Sequence, residues 1–198
     1  MKKGYTFTIL FMLTVSIVFT TLLATANLLA TDKINTNVEF ALQRSILYAM
    51  NVQNDGTLAG VQDAYKKNIR ELQSADETIP ALQDENGKIL GYAVPIIGPG
   101  LWGTIEGYLG VSADLTQLIG IVFTKQSETP GLGARIDEEV YKKQFRGMSV
   151  SPGAVLKLKA GTDGEVDAVT GATFTSRSVV DMINKALAND LKRLEGLK

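Results

Sequence analysis

The sequence predicts an α+β fold: an N-terminal single transmembrane helix followed by a mostly antiparallel sheet domain packed with helices. Residues 4–31 contain no charged side chain, and about 20 apolar residues suffice to cross a bilayer core. Residues 79–125 alternate short apolar runs with tight turn signals, the pattern of sequential antiparallel strands. Val179, Val180, Ile183, Leu187, Leu191 and Leu194 recur at helical spacing, so a long helix with one buried face follows the strands. Helices grouped around such a sheet define the α+β class.

In the first segment, threonines such as Thr8, Thr14 and Thr21 are compatible with a membrane span, because a helical Thr returns its hydroxyl to a carbonyl one turn back. Ala24-Thr25-Ala26 has the small-x-small form of a signal-peptide cleavage site. The apolar run continues through Leu28 and Leu29, which favours a retained anchor. Lys2 and Lys3 favour a cytoplasmic N-terminus. The expected arrangement is a single-pass protein of the inner cell membrane with everything after residue 31 on the extracytoplasmic side.

Ile34, Val38, Leu42, Ile46 and Met50 predict an amphipathic helix over 33–50 that continues from the anchor. Asp55-Gly56-Thr57 supplies a stop and a cap, and Val61, Tyr65, Ile69 and Leu72 form the stripe of a second helix. Core packing is the simplest account of both stripes. Asn86-Gly87 between two apolar runs is a hairpin signal. Strands are expected over 104–112 and 118–125, with Ala113-Asp114-Leu115-Thr116 as their turn. Residues 137–145 read as a short helix, 155–159 and 165–169 as a hairpin around Gly161-Thr162-Asp163-Gly164, and 176–194 as the terminal helix. The expected organisation is a membrane anchor (1–31), a helical connecting segment (32–75) and one domain (76–198).

The chain has no cysteine and no histidine. That excludes disulfides, thiol nucleophiles, protein-held iron–sulfur clusters and thiolate zinc sites. It also excludes a Ser-His-Asp triad and His-ligated metals. Catalysis would have to use carboxylates, lysines, hydroxyls or backbone groups, or a cofactor that brings its own reactivity. A net charge of −1 argues against nucleic-acid binding.

Three glycine-rich stretches stand out: Gly98-Pro99-Gly100-Leu101-Trp102-Gly103, with the sole tryptophan; Ser127-Glu128-Thr129-Pro130-Gly131-Leu132-Gly133; and Asp167-Ala168-Val169-Thr170-Gly171-Ala172-Thr173. Taken singly, each is explained by turn formation. None matches a P-loop or a dinucleotide fingerprint. The third directly precedes a helix whose expected N-cap is Ser176. A helix N-terminus favours an anion, phosphate in particular, and Gly171 and Ala172 would let a phosphate ester approach the backbone.

Asp167-x-x-Thr170-Gly171-Ala172-Thr173 resembles the flavinylation motif of the FMN-binding domain family, and the 127–133 stretch resembles that family's second signature. With the anchor and the Gly100-Leu101-Trp102 loop, the resemblance extends over nearly the whole chain. It is nearest to the covalently flavinylated subunit of Rnf-type ferredoxin:NAD oxidoreductases; the equivalent subunit of sodium-translocating NADH:quinone reductase is similar. The resemblance implies that residues 76–198 form an FMN-binding domain and that Thr173 carries FMN through a phosphoester. Asp167, Thr170, Gly171 and Ala172 would form the segment read by a separate magnesium-dependent flavin transferase that uses FAD as donor. Glu128, Thr129, Gly131, Leu132 and Gly133 would line the flavin pocket, with Leu101, Trp102 and Leu132 packing on the ring. Where many members have a histidine before Glu-Thr-Pro, this chain has Gln126-Ser127.

A threonine hydroxyl is a poor nucleophile without a base, so self-modification is not expected. The implied role is an electron-transfer subunit that is not catalytic alone, with the other membrane subunits of an Rnf-type complex as partners. Two alternatives stay open: a flavinylated shuttle of another membrane or extracellular reductase, and a cofactor-free anchored scaffold whose glycine loops are only turns. For Trp102 a core position unrelated to flavin also stays open, and for Asp167 an Asx-turn or capping role.

Overall fold

A computed structural model describes residues 3–73, 78–159 and 165–195. Helix α1 (Lys3–Ala49) is followed by α2 (Leu58–Asn68), β1 (Ile69–Gln73), β2 (Thr78–Gln83), β3 (Ile89–Pro99), β4 (Thr104–Ser112) and β5 (Leu118–Lys125). A 3-10 helix (Gly133–Asp137), α3 (Glu139–Lys143) and α4 (Thr173–Glu195) complete the chain. There are two compact units, Met1–Glu39 and Phe40–Lys198.

The first unit is the N-terminal part of α1. Its apolar side chains are exposed along its length, including Phe7, Phe11, Leu13, Ile17, Phe19 and Leu22. Among the described residues, α1 is the one helix long and apolar enough to cross a membrane. The hydroxyls of Thr8, Thr14, Thr21 and Thr25 each donate to the carbonyl four residues back at 2.8 Å, so the threonines leave no polar group needing a distant partner.

In the second unit the five strands form one antiparallel meander in the order β1-β2-β3-β4-β5. The β3–β4 pairing runs from Gly91 opposite Ser112 to Pro99 opposite Thr104. Beyond Tyr92, β3 has no β2 partner, which is why Pro95 and Pro99 are tolerated there: no ladder donor is required on that side.

Strand alternation gives the sheet two buried faces. On one, Tyr92, Val94, Ile96, Ile105, Leu109, Ile121 and Phe123 pack with Val179, Val180, Ile183 and Leu187 of α4. On the other, Ala93, Tyr108 and Ile119 pack with Ile46, Leu47 and Met50 at the end of α1 and Val61 of α2. Each fully buried aliphatic side chain contributes about 1.5–3 kcal/mol, so the helical layers on both faces are held firmly.

Several elements depart from the sequence expectation. Of the first stripe, Ile46 and Met50 are buried, whereas Ile34, Val38 and Leu42 are exposed; core packing accounts for its C-terminal half alone. Helix α2 starts at the expected cap, Thr57 Oγ1 accepting from Gly60 N–H at 3.0 Å, but ends at Asn68. Ile69 and Leu72 lie on β1, because pairing with β2 outcompetes continuation of the helical stripe, and the connecting segment is therefore not all helix. The expected helix over 137–145 is shorter, split between the 3-10 turn and α3. The expected hairpin flanks make a single parallel bridge, Leu158 with Val166, instead of paired strands; Gly161-Thr162-Asp163-Gly164 lie outside the described residues. Helix α4 begins at Thr173, so Ser176 sits inside its first turn and is not the N-cap.

Candidate functional site

Pro99 pairs with Thr104, and the hairpin between them closes through Gly100 N–H to Gly103 O at 2.7 Å. This lifts Leu101 and Trp102 to the tip, where Trp102 is 69% exposed. Trp102 is therefore not a core aromatic. The second stretch leaves the end of β5 and folds back on itself, Thr129 O accepting from Leu132 N–H and Ala134 N–H, both at 3.1 Å. The Thr129 side chain is exposed, and Leu132 is partly so.

Glu128 joins the three stretches. It is 5% exposed, and its Oε1 accepts from Leu101 N–H at 2.8 Å and Trp102 N–H at 3.1 Å. Its Oε2 accepts from the Thr175 hydroxyl at 2.6 Å, in the first turn of α4. Gln126 accepts from Glu128 N–H at 2.7 Å and donates to Asp137 at 2.9 Å. Its side chain thus orients the glutamate-bearing loop. A Cβ on Gly133 would stand 2.6 Å from Glu128 Oε2 and 2.8 Å from Thr175 Oγ1, so only glycine admits this arrangement.

The third stretch is divided by the structure. Gly171 has φ +78°, and its α-carbon faces Leu132 Cδ2, which a Cβ would approach to 3.1 Å. Thr173 is exposed as the first residue of α4, beside exposed Phe174. Ala172 is instead buried in the core, so its side chain anchors the turn and does not simply clear space beside it. Asp167 and Thr170 point to a separate groove of about 200 Å³ shared with Arg135, Glu138, Tyr141 and Gln144. Asp167 pairs with Lys159 at 3.2 Å, and Gln144 grips its backbone, accepting from Asp167 N–H at 2.8 Å and donating to Asp167 O at 3.3 Å.

Beneath the turn, Ser176 Oγ accepts from Val169 N–H at 2.9 Å and donates to Ala172 O at 3.1 Å. Tyr141 is buried below. Burial pushes its phenol far above the ordinary tyrosine range, the nearby Ser176 hydroxyl opposing the shift. The first intrahelical donor of α4 is Ser176 N–H, to Ala172 O. The N–H groups of Thr173, Phe174 and Thr175 precede it and have no partner within the helix, which together with the helix dipole makes this end receptive to an anion.

Around Thr173, then, the chain arranges an exposed hydroxyl at a helix N-terminus, exposed apolar side chains at 101, 102, 132 and 174, and a buried carboxylate that binds the segments together. Residues 100–188 match the FMN-binding domain model. Over that segment the chain is similar to FMN-binding domains. It is 36% identical over 104 residues to a subunit of the ion-translocating oxidoreductase complex of Methanosarcina acetivorans, covering 52% of this chain and 53% of that protein. It is 31% identical over 120 residues to a subunit of the Na(+)-translocating NADH-quinone reductase of Pseudomonas aeruginosa, covering 55% and 46%. The chain thus spans about half the length of these relatives. The crystal structure of Shewanella oneidensis NqrC shares the fold, with TM-score 0.68 over 81% of this chain and 98% of that one at 21% identity.

Thr175, Phe174 and Gln144 also belong to the region around Thr173, and the sequence reading does not single them out. Phe174 carried a signal, an apolar residue off the buried stripe of α4. Thr175 carried none, since its partner Glu128 lies 47 positions away.

Proposed function

We propose that this chain is an electron-transfer subunit of a membrane-bound, ion-translocating oxidoreductase of the Rnf type, with FMN attached through a phosphoester to Thr173. The observation that carries the reading is that Thr173 is exposed at the start of the 23-residue α4, the turn before it abutting Leu132 at Gly171 and the first turn of α4 tied through Glu128 to the Leu101–Trp102 tip.

The residues fit the group. A phosphodiester on Thr173 would lie where the first-turn N–H groups and the helix dipole favour negative charge. Gly171 lets Leu132 come close against the turn. Leu101, Trp102 and Leu132 offer apolar surface for a planar ring, and the 131–133 backbone can offer hydrogen bonds to its polar edge. When bound, FMN supplies one- and two-electron redox chemistry. The chain's own part is to hold and orient: Glu128 fixes the loops, and Ser176 and Gln144 fix the turn that presents Thr173.

Attachment requires a flavin transferase with FAD as donor. The Thr173 oxygen forms a bond to the FMN phosphorus as the P–O bond to AMP breaks, AMP leaves, and the hydroxyl proton passes to a base supplied with the transferase. Asp167 and Thr170, in their own groove, are available for recognition by that enzyme. Residues 1–31 anchor the chain and Lys2 and Lys3 hold the N-terminus in the cytoplasm, which puts the flavin on the extracytoplasmic side, where a covalent link prevents its loss. The Rnf-type assignment rests on the motif resemblance together with the likeness to the Methanosarcina relative; the likeness to the Pseudomonas protein makes a related quinone-reductase shuttle the second reading.

Co-expression with a flavin transferase followed by denaturing electrophoresis tests the attachment. A fluorescent band is expected for the wild type and none for Thr173→Ala. A dark wild type, or a Thr173→Ala band that still fluoresces, overturns it. Co-purification with other membrane subunits is expected, and isolation as a lone flavoprotein would overturn the assignment to a complex.

A further inference from the structure

Thr175 lies two residues beyond the proposed attachment point, and its side chain does not face the exterior. It is 1% exposed, donating to a carboxylate that is itself 5% exposed. We propose that Thr175 is a positioning residue for the flavin site: acting through Glu128, it fixes the Leu101–Trp102 hairpin tip against the first turn of α4. The proposal rests on the reading that Thr173 carries the flavin, because only then does this coupling set the distance between the linkage and the aromatic wall.

The physical argument is one of committed acceptors. Glu128 Oε2 is taken by Thr175 and Oε1 by the Leu101 and Trp102 amides. A turn of the carboxylate that loosened one set would disturb the other. Charge-assisted bonds of this kind are short and strong, and a buried carboxylate that loses a donor pays in desolvation. The tip itself is weakly held, its own turn being closed by the single Gly100 to Gly103 bond while Leu101 and Trp102 remain exposed. Among the described hydrogen bonds, its tie to the rest of the site is Glu128. Gly133 leaves room for the Glu128–Thr175 pair and for nothing more, so a bulkier residue at 133 would compete with it.

Amide hydrogen exchange at Leu101 and Trp102 tests this in the full chain in detergent, without transferase. In the wild type both amides should be protected relative to the exposed Thr129 and Gly131 amides. Thr175→Val, which keeps the shape and removes the hydroxyl, should speed their exchange about tenfold, in keeping with the loss of one bond to a charged group. Thr175→Ser should restore protection. Unprotected amides in the wild type, no acceleration in Thr175→Val, or a Thr175→Ser variant that behaves like Thr175→Val would each overturn the proposal. If Thr175→Val does not fold, the wild-type protection and the serine variant still decide it.

A second reading uses the flavinylated chain. Trp102 is the sole tryptophan, and an indole held near a flavin quenches its emission. Thr175→Val should carry as much covalent flavin as the wild type but emit more brightly, and Thr175→Ser should return to the wild-type level; equal brightness in all three overturns the coupling. A wild type that takes up no covalent flavin overturns the attachment reading instead, and leaves the exchange measurement to decide the positioning role.

Discussion

Along residues 3–39 of α1 and around the glycine-rich face of the second unit, apolar side chains are turned outward to a similar degree: Phe19 is 61% exposed and Trp102 69%. The polar groups beneath them are satisfied in opposite ways. In α1 the hydroxyls of Thr8, Thr14, Thr21 and Thr25 return to a carbonyl four residues back, and the backbone is bonded within the helix. At the glycine-rich face, two amides of one loop and a hydroxyl of α4 depend on a carboxylate from a third segment. Local satisfaction lets a surface remain apolar on all sides, as lipid requires. Distant satisfaction produces a small apolar surface of defined shape, suited to one flat ligand and dependent on the fold.

The sharpest way to break this contrast is Glu128→Ala. With three donors left unpaired, the second unit should lose about 3–5 kcal/mol of stability by chemical denaturation; a loss below about 1 kcal/mol would mean that water replaces the carboxylate. In α1, Ile17→Asp should raise the cost of membrane insertion by about 2.5–3.5 kcal/mol, read as a shift toward the soluble fraction, while the melting temperature of the second unit stays unchanged. Thr21→Val should leave insertion intact. Gly133→Ala comes next, at about 1–3 kcal/mol, because the new methyl intrudes on the Glu128–Thr175 pair.

The smallest effect is an alkaline one beneath the turn that precedes α4. Burial raises the folded-state pKa of Tyr141, so the unfolded phenol ionises first, near its ordinary value of about 10. Wild-type stability should therefore fall as pH rises above about 10, and Tyr141→Phe should fall less steeply over the same window. Parallel melting curves for the two would show that Tyr141 is not held in the buried neutral form.

Legibility from the sequence followed the range of the interactions. The strands at 104–112 and 118–125, the Asn86-Gly87 turn, the Thr57 cap and the buried stripe of α4 all depend on near neighbours and were read directly. Ile69 and Leu72 fitted a helical stripe, but β2 offered them strand partners. Ser176 looked like a cap because Ser favours that position; in the fold its hydroxyl bonds to Val169 and Ala172, and α4 starts three residues earlier. The motif stretches were visible as sequence, whereas their junction at Glu128 and the division between an outward Thr173 and a buried Thr175 were not.

The sequence by itself determined the composition limits, the apolar segment, the order of strands β2 to β5 and the chemistry available: with neither thiol nor imidazole, any redox role would need a cofactor that brings its own reactivity. Apart from β1, which the helical stripe concealed, those properties follow from residue identity and short spacing. The tertiary structure alone decided that loops from positions 100–103 and 127–133 meet the start of α4, that Ala172 faces inward while Thr173 faces out, and that one buried carboxylate holds them. Such contacts exist only after the meander has formed and α4 has packed across it, because a buried polar group finds its partner by proximity in space and carries no mark of it along the chain.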